Sequence, residues 1–327
     1  MKKSVSLPYT RKIIPSLAVG AFMIMLVVRP DYFLQSATRG LLLFGTSVLP
    51  AIFPFFFCSA MLTRIGAAAA LSKMGAKPVR VLFNAAPEGA YVLVLSMLSG
   101  YPIGAATVAD LYKKGFIDTE EARRISSFTS TSGPVFVLGT VGSAVFGSPA
   151  VGALILAAHY AAAFATGLTF RGRRRPEREK VRLATADTDN VLGECISSST
   201  LAMLAVGGYI VIGNMLIDTI TLTGLPSLIA GVLPPDGAGV LLAALYGAVE
   251  MTRGTMQAAQ IPFTPLAAAV AAAIVSFGGL SVMMQSHTFL SQCKIKFTSL
   301  LARKSVQCVY AFVLALTFSL IFRQFLT

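Results

Sequence analysis

The sequence predicts an all-α polytopic membrane protein, organised as inverted repeats that each carry a re-entrant helical hairpin and a broken transmembrane helix. Three observations lead there. Of the 327 residues, 55% are hydrophobic and 13% charged, with a mean hydropathy of +0.74, more apolar surface than a soluble domain can bury. The net charge of +13 sits in short basic blocks between apolar stretches. That is the pattern of a positive-inside membrane topology, and no nucleic-acid-binding module accompanies it. Finally, apolar segments interrupted by Gly and Pro occur in corresponding places of the two halves.

Residues 1–37 read as an N-terminal transmembrane anchor. Lys2, Lys3, Arg11 and Lys12 precede an apolar run over 13–28. Arg29-Pro30-Asp31 then stands where a cleaved signal would need small residues, so the first span stays uncleaved. Residues 38–170 form the first repeat. It opens with a span over 38–64, which Pro50 and Pro54 are expected to kink or unwind. A hairpin follows over 88–114, with Ser99-Gly100-Tyr101-Pro102-Ile103-Gly104 at its tip. Next comes a broken helix over 119–146. Asp118-Thr119-Glu120-Glu121 reads as its start, and Thr129-Ser130-Thr131-Ser132-Gly133-Pro134 interrupts it. An unbroken span over 149–170 closes the repeat.

The stretch 171–190 reads as a basic cytoplasmic loop. The second repeat, 191–327, opens with a span over 191–220 and a linker containing Pro226, Pro234 and Pro235. Its hairpin covers 238–260 and is interrupted at Glu250, Thr252, Arg253 and Gly254. Its broken helix covers 265–290, interrupted at Ser276-Phe277-Gly278-Gly279-Leu280-Ser281. Lys294, Lys296, Arg303 and Lys304 read as a connector before a last span over 306–322.

Charge decides whether the hairpins cross. If the first enters and returns on the cytoplasmic side and the second does so from outside, all Lys and Arg except Arg29, Arg39, Arg253 and Arg323 lie inside. The two halves then have opposite orientation. Paired, interrupted segments in inverted repeats are the architecture of secondary transporters, which hold substrate near the midplane at half-helix ends.

The four interruptions are therefore expected to converge on a substrate site. Its candidate residues are Tyr101, Ser130, Thr131, Ser132 and Gly133 from the first half, and Glu250, Thr252, Arg253, Gly278, Gly279, Ser281 and Gln285 from the second. Glycines let backbone approach a ligand, and half-helix ends offer free amides or carbonyls. Arg253 has the fork geometry for a carboxylate. Glu250 suits a coupling cation, Na+ or H+, or a hydroxyl. Two readings stay open for this pair, because residues three apart share a helix face and can neutralise each other. Local helix hydrogen bonding stands beside ligand contact for residues 130–132. Gln257 and Gln285 are weaker candidates, and for Asn214, which points at the membrane interior, helix–helix packing is the alternative. His159, His287 and the four cysteines have no metal-ligand spacing, so neither metal nor cofactor is expected. No Ser/His/Asp or paired-carboxylate arrangement supports an enzyme.

The string SGYPIGAATVADLYKKGFIDTEEARRISSFTSTSGPVFVLGTVG, together with GAVEMTRG and SFGGLSVMMQ, resembles the YlbJ/SpoVV family of sporulation integral membrane proteins. The resemblance covers nearly the whole chain. It implies a "nucleoside recognition" Gate domain with an architecture similar to concentrative nucleoside transporters, and by that analogy a homo-oligomer, a trimer. It also implies a multi-pass protein of a bacterial cell membrane, the outer forespore membrane, that moves dipicolinate during sporulation. A nucleoside or nucleobase transporter and a non-transporting scaffold or gate are the alternatives. The resemblance carries no residue map of the site, whose candidates rest on the residues themselves.

Overall fold

A computed structural model describes residues 9–65, 67–172 and 190–322, and among these every regular element is helical. The basic loop expected over 171–190 falls almost entirely outside the described residues, as do Lys2, Lys3 and Arg323.

Helix α1 (Tyr9–Val28) turns by 105° at Arg29 into α2 (Pro30–Leu43). A proline at the first helical position has no N–H to continue the preceding ladder, so the chain starts a new helix there. The turn thus comes at Arg29, and residues 30–37, assigned from sequence to the anchor, are the first turns of α2. A π-helical turn, Phe44–Val48, joins α2 to α3 (Leu49–Arg64). The distortion expected from Pro50 and Pro54 takes this form: a wider turn accommodates the carbonyl that the Pro50 ring displaces.

Helix α4 (Ala67–Phe83) carries Lys73, Lys77 and Arg80 on an amphipathic surface, and its stretch Ala70–Phe83 meets α5 (Glu88–Ser99) at 94°. With α6 (Ile103–Lys113), α5 forms the first hairpin around Gly100, Tyr101 and Pro102. Legs of 12 and 11 residues reach about 16–18 Å at 1.5 Å per residue, roughly half of a 30 Å hydrocarbon layer. The hairpin therefore dips and returns. Helix α7 (Thr119–Phe128) begins at Asp118, whose carboxylate accepts the Glu121 N–H at 2.8 Å. Beyond non-helical residues 129–133 lie a π-helical segment, Val135–Val145, and α8 (Pro149–Thr169).

The second half runs through α9 (Val191–Leu222), α10 (Leu225–Val232), α11 (Pro235–Val249) and α12 (Met251–Ala258). Then follow α13 (Thr264–Phe277), α14 (Gly279–Leu290), a 3-10 turn at Ser291–Cys293 and α15 (Phe297–Ile321). Each half thus repeats one order: long helix, short helix, hairpin, broken helix, unbroken helix. The halves point oppositely. Arg39 meets Asp218, Gly40 packs on Val211, Phe44 on Gly207, and Arg64 meets Glu194, so residue numbers fall along α9 as they rise along α2 and α3. Among the described residues, four helical stretches are long and apolar enough to cross a membrane, or up to six if each bent pair is one span.

One sequence reading is overturned. Arg303 and Lys304 do not sit in a connector but inside α15, where both are buried. Each finds a partner there. Arg303 donates to Ser126 Oγ at 3.2 Å and lies over the Phe170 ring, and Lys304 reaches the first hairpin. Burial with such partners offsets the desolvation that would otherwise push these cations to the surface. The alanine-rich face of α13 packs against α8 and α15, where Ala158, Ala162, Ala268, Ala271, Ala311 and Ala315 let the backbones approach closely.

Candidate functional site

Each hairpin tip touches the break in the broken helix of its own half, and glycine makes both contacts possible. In the first half, a Cβ on Gly100 would lie 2.3 Å from Gly133 N. In the second, a Cβ on Gly279 would lie 2.8 Å from Gly247 O. No larger residue fits at either place without moving backbone.

A cavity of about 60 Å³ lies where these tips and breaks meet. From the first half, Tyr101, Ser132 and Gly133 line it; from the second, Glu250, Thr252, Ser281 and Gln285. Leu43, Ile52, Phe55, Val206 and Ile210 supply apolar walls from the long helices. Val206 and Ile210 stand near the middle of the 32-residue α9, about 18–24 Å from Glu194 at 1.5 Å per residue.

The remaining sequence candidates stand behind this lining. Thr131 Oγ1 is 2.7 Å from Ser96 Oγ, stitching the break to the hairpin leg. Ser130 gives its carbonyl to Gln307 Nε2 at 3.0 Å and its hydroxyl to Lys304 Nζ at 3.3 Å. Gly278 and Gly279, both at positive φ, make the turn between α13 and α14. The Ser132 amide, expected to be a free half-helix donor, is occupied: it donates to His159 Nε2 at 2.8 Å. That nitrogen must then be unprotonated, so Nδ1 carries the hydrogen and donates to Ser276 Oγ at 2.6 Å. His159 thereby ties the first break to α13.

Glu250 and Arg253 separate in function. Glu250, 2% exposed, caps α12 by accepting the Arg253 backbone N–H at 2.9 Å, and it lines the cavity. Gly213 of α9 makes room for it; a Cβ there would be 3.2 Å from Glu250 Cγ. The Arg253 side chain turns away. Its guanidinium bonds Asp218 Oδ1 at 3.2 Å and Asn214 Oδ1 at 3.5 Å and is not part of the cavity lining. Asp218 also takes Arg39 at 2.7 Å, so one carboxylate holds α2 and the second hairpin together. Neither of the readings left open for the pair describes this: the guanidinium is neutralised by a third residue.

Sequence reasoning missed Lys304 and Asp218. Lys304 Nζ is 2.7 Å from Tyr101 Oη and 3.3 Å from Gln307 Oε1, and it lies 4.4 Å from the Tyr101 ring centre. Among the described residues no carboxylate comes within ion-pair distance of it. The buried Lys304 amine thus stands directly behind a cavity-lining tyrosine, and its bond to Tyr101 Oη strengthens that hydroxyl as a donor. The signal for Asp218 was present: an acidic residue inside an apolar span, one turn beyond Asn214. For Lys304 no local signal existed, because the basic run 294–304 resembles any cytoplasmic connector.

No protein-family model matches the chain, and no solved structure matches it. Among curated proteins it is similar to the sporulation integral membrane protein YlbJ of Bacillus subtilis (strain 168). The two are 29% identical over 335 aligned residues, covering 92% of this chain and 82% of that protein. The similarity supports membership of the YlbJ family. For a YlbJ-like chain the coverage is informative in itself: an alignment over 92% of the chain takes in both hairpins and both breaks.

Proposed function

We propose that this chain carries a small polar organic anion across a membrane by alternating access at the cavity between the hairpin tips. Dipicolinate is the first candidate, sporulation the setting and the outer forespore membrane the location. The observation that carries the proposal is the meeting of Tyr101, Ser132, Glu250, Thr252, Ser281 and Gln285, drawn from two oppositely oriented halves, around one buried cavity. Polar groups kept at membrane depth around a cavity mark a solute path. Lys304 behind Tyr101, in its protonated form, supplies positive charge for a carboxylate through that hydroxyl. A dianion is accommodated when Glu250 carries a coupling ion, H+ or Na+. The relative's name, a sporulation integral membrane protein, supports the setting.

A second reading follows from Glu250 itself. An ionised carboxylate on the lining repels a dianion but accepts from the hydroxyls of a neutral solute, which favours a nucleoside-like substrate recognised by a Gate-type domain. The chain acts in either case as a transporter without an enzymatic step, and trimer formation is an analogy to be measured.

Reconstitution in liposomes with imposed Na+ or H+ gradients tests this. Labelled dipicolinate should enter only in protein-containing vesicles, and excess unlabelled dipicolinate should compete better than uridine. Preferential competition by uridine would replace the first reading with the second. Absence of flux for both solutes under every gradient would refute transport and leave a scaffold.

A further inference from the structure

A second cavity, of about 270 Å³, opens between α3, α6 and α9, at the end of the bundle where the basic blocks gather. Its outer wall carries Arg64, Lys113 and Lys114. Arg64 is held by Glu194 at 2.7 Å and Lys114 by Asp110 at 2.8 Å, while Lys113 has no ion-pair partner among the described residues. The rim therefore has an unbalanced positive charge. Deeper in the same wall lies Ser199. It is 2% exposed, and its Oγ has no hydrogen-bond partner among the described residues. Its neighbours differ: Thr107 Oγ1 donates to Ile103 O, and Ser198 Oγ donates to Cys195 O, the carbonyl one turn before Ser199. Leaving a buried hydroxyl unpaired is costly, and a pocket-facing one is the place where a ligand restores the bond. Ser36 and Ser319, the other two such hydroxyls, line neither this cavity nor the central one.

The two cavities share their walls. Phe55 and Val206 line the central one, and Phe56 and Ala202, on the same helices, line this one. Between them Phe56, Ile103 and Met203 are buried in one apolar cluster that closes the passage.

We propose that this second cavity is an entry subsite that holds a small carboxylate-bearing organic anion on the cytoplasmic side of the closed barrier. Lys113 takes the carboxylate and the Ser199 hydroxyl donates to an acceptor atom further in. The direction of the path rests on the transport reading above; the anion site itself rests on the cavity, its unbalanced rim and the unpaired hydroxyl.

The test is binding of labelled dipicolinate to the purified full chain, in detergent and in vesicles of zwitterionic lipid only, for the wild type, Lys113→Gln and Ser199→Ala. The wild type should show two classes of site. Lys113→Gln should weaken one of them about ten-fold, as loss of a charge-assisted bond does, and Ser199→Ala should weaken the same one less. Flux from the Lys113 side should need correspondingly higher solute concentration. If both variants bind and transport like the wild type, the subsite is refuted while transport stands. If the wild type neither binds nor transports, the transport reading falls and takes the subsite with it. Lipid phosphate could satisfy the same cations. A Lys113→Gln effect seen only when anionic lipid is added would identify a headgroup contact and overturn the proposal. A Ser199→Ala change in thermal stability alone would mark a purely structural hydroxyl, and also overturn it.

Discussion

Replacing Gly100 by alanine strikes the contact on which the central cavity depends, and its cost follows from the geometry. Gly100 has φ +81° and ψ −166°, a region that side chains other than glycine's avoid. Occupying it with alanine costs roughly 1–3 kcal/mol. The added Cβ would also lie 2.3 Å from Gly133 N and 3.1 Å from Ser132 C. Reaching ordinary contact requires tip and break to separate by roughly 1 Å, an overpacking that costs about 1–3 kcal/mol. The total is about 2–6 kcal/mol. Gly224 provides the control. It has φ +73°, and a Cβ there meets nothing within 4 Å, so alanine costs only about 1–2 kcal/mol. Thermal unfolding in detergent and flux in liposomes should both fall sharply for Gly100→Ala and little for Gly224→Ala. Gly279→Ala, which drives a Cβ to 2.8 Å from Gly247 O, should behave like Gly100→Ala. If Gly100→Ala and Gly224→Ala match in both assays, the tip-to-break contact does not carry the site.

Four further expectations follow. Asp218→Asn leaves two guanidinium groups without their shared carboxylate. Breaking a buried pair costs 3–5 kcal/mol, but with the Arg39 and Arg253 side chains 51% and 28% exposed the loss should be about 1–2 kcal/mol, read as a lower unfolding midpoint. Arg253→Ala should destabilise less, since Arg39 remains on Asp218, and flux should survive; abolished flux with intact stability would return Arg253 to the substrate. Lys304→Met should cut anion flux by roughly ten-fold or more, with the unfolding midpoint unchanged or raised because a buried charge is removed. Undiminished anion flux would exclude Lys304 from substrate recognition. For topology, single cysteines replacing Lys114 and Asp236 on a cysteine-free background should be labelled from opposite faces, the first from the cytoplasm; labelling from one face would collapse the inverted arrangement.

Much of the central cavity's lining was legible because local rules governed it. Tyr101, Ser132, Glu250 and Ser281 sit at interruptions in apolar runs, and an interruption is costly in lipid unless it faces a cavity. Asp118 announced the start of α7 through its capping carboxylate, a bond made within one turn. The partner of Arg253 was not legible, for the complementary reason. The spacing of Arg253 from Glu250 is a local fact, but Asp218 comes from a helix 35 residues earlier. Lys304 is the stronger case, because its contact with Tyr101 spans 203 residues.

By itself, then, the sequence determined the helical membrane character, the paired interrupted segments and the residue types at their tips, since hydropathy, charge bias and Gly/Pro breaks act over a few turns. Only the tertiary structure decided which tip residues face the cavity, which cation stands behind Tyr101 and which carboxylate holds Arg253. Those choices depend on oppositely directed helices brought side by side, and no pattern along the chain encodes which face meets which.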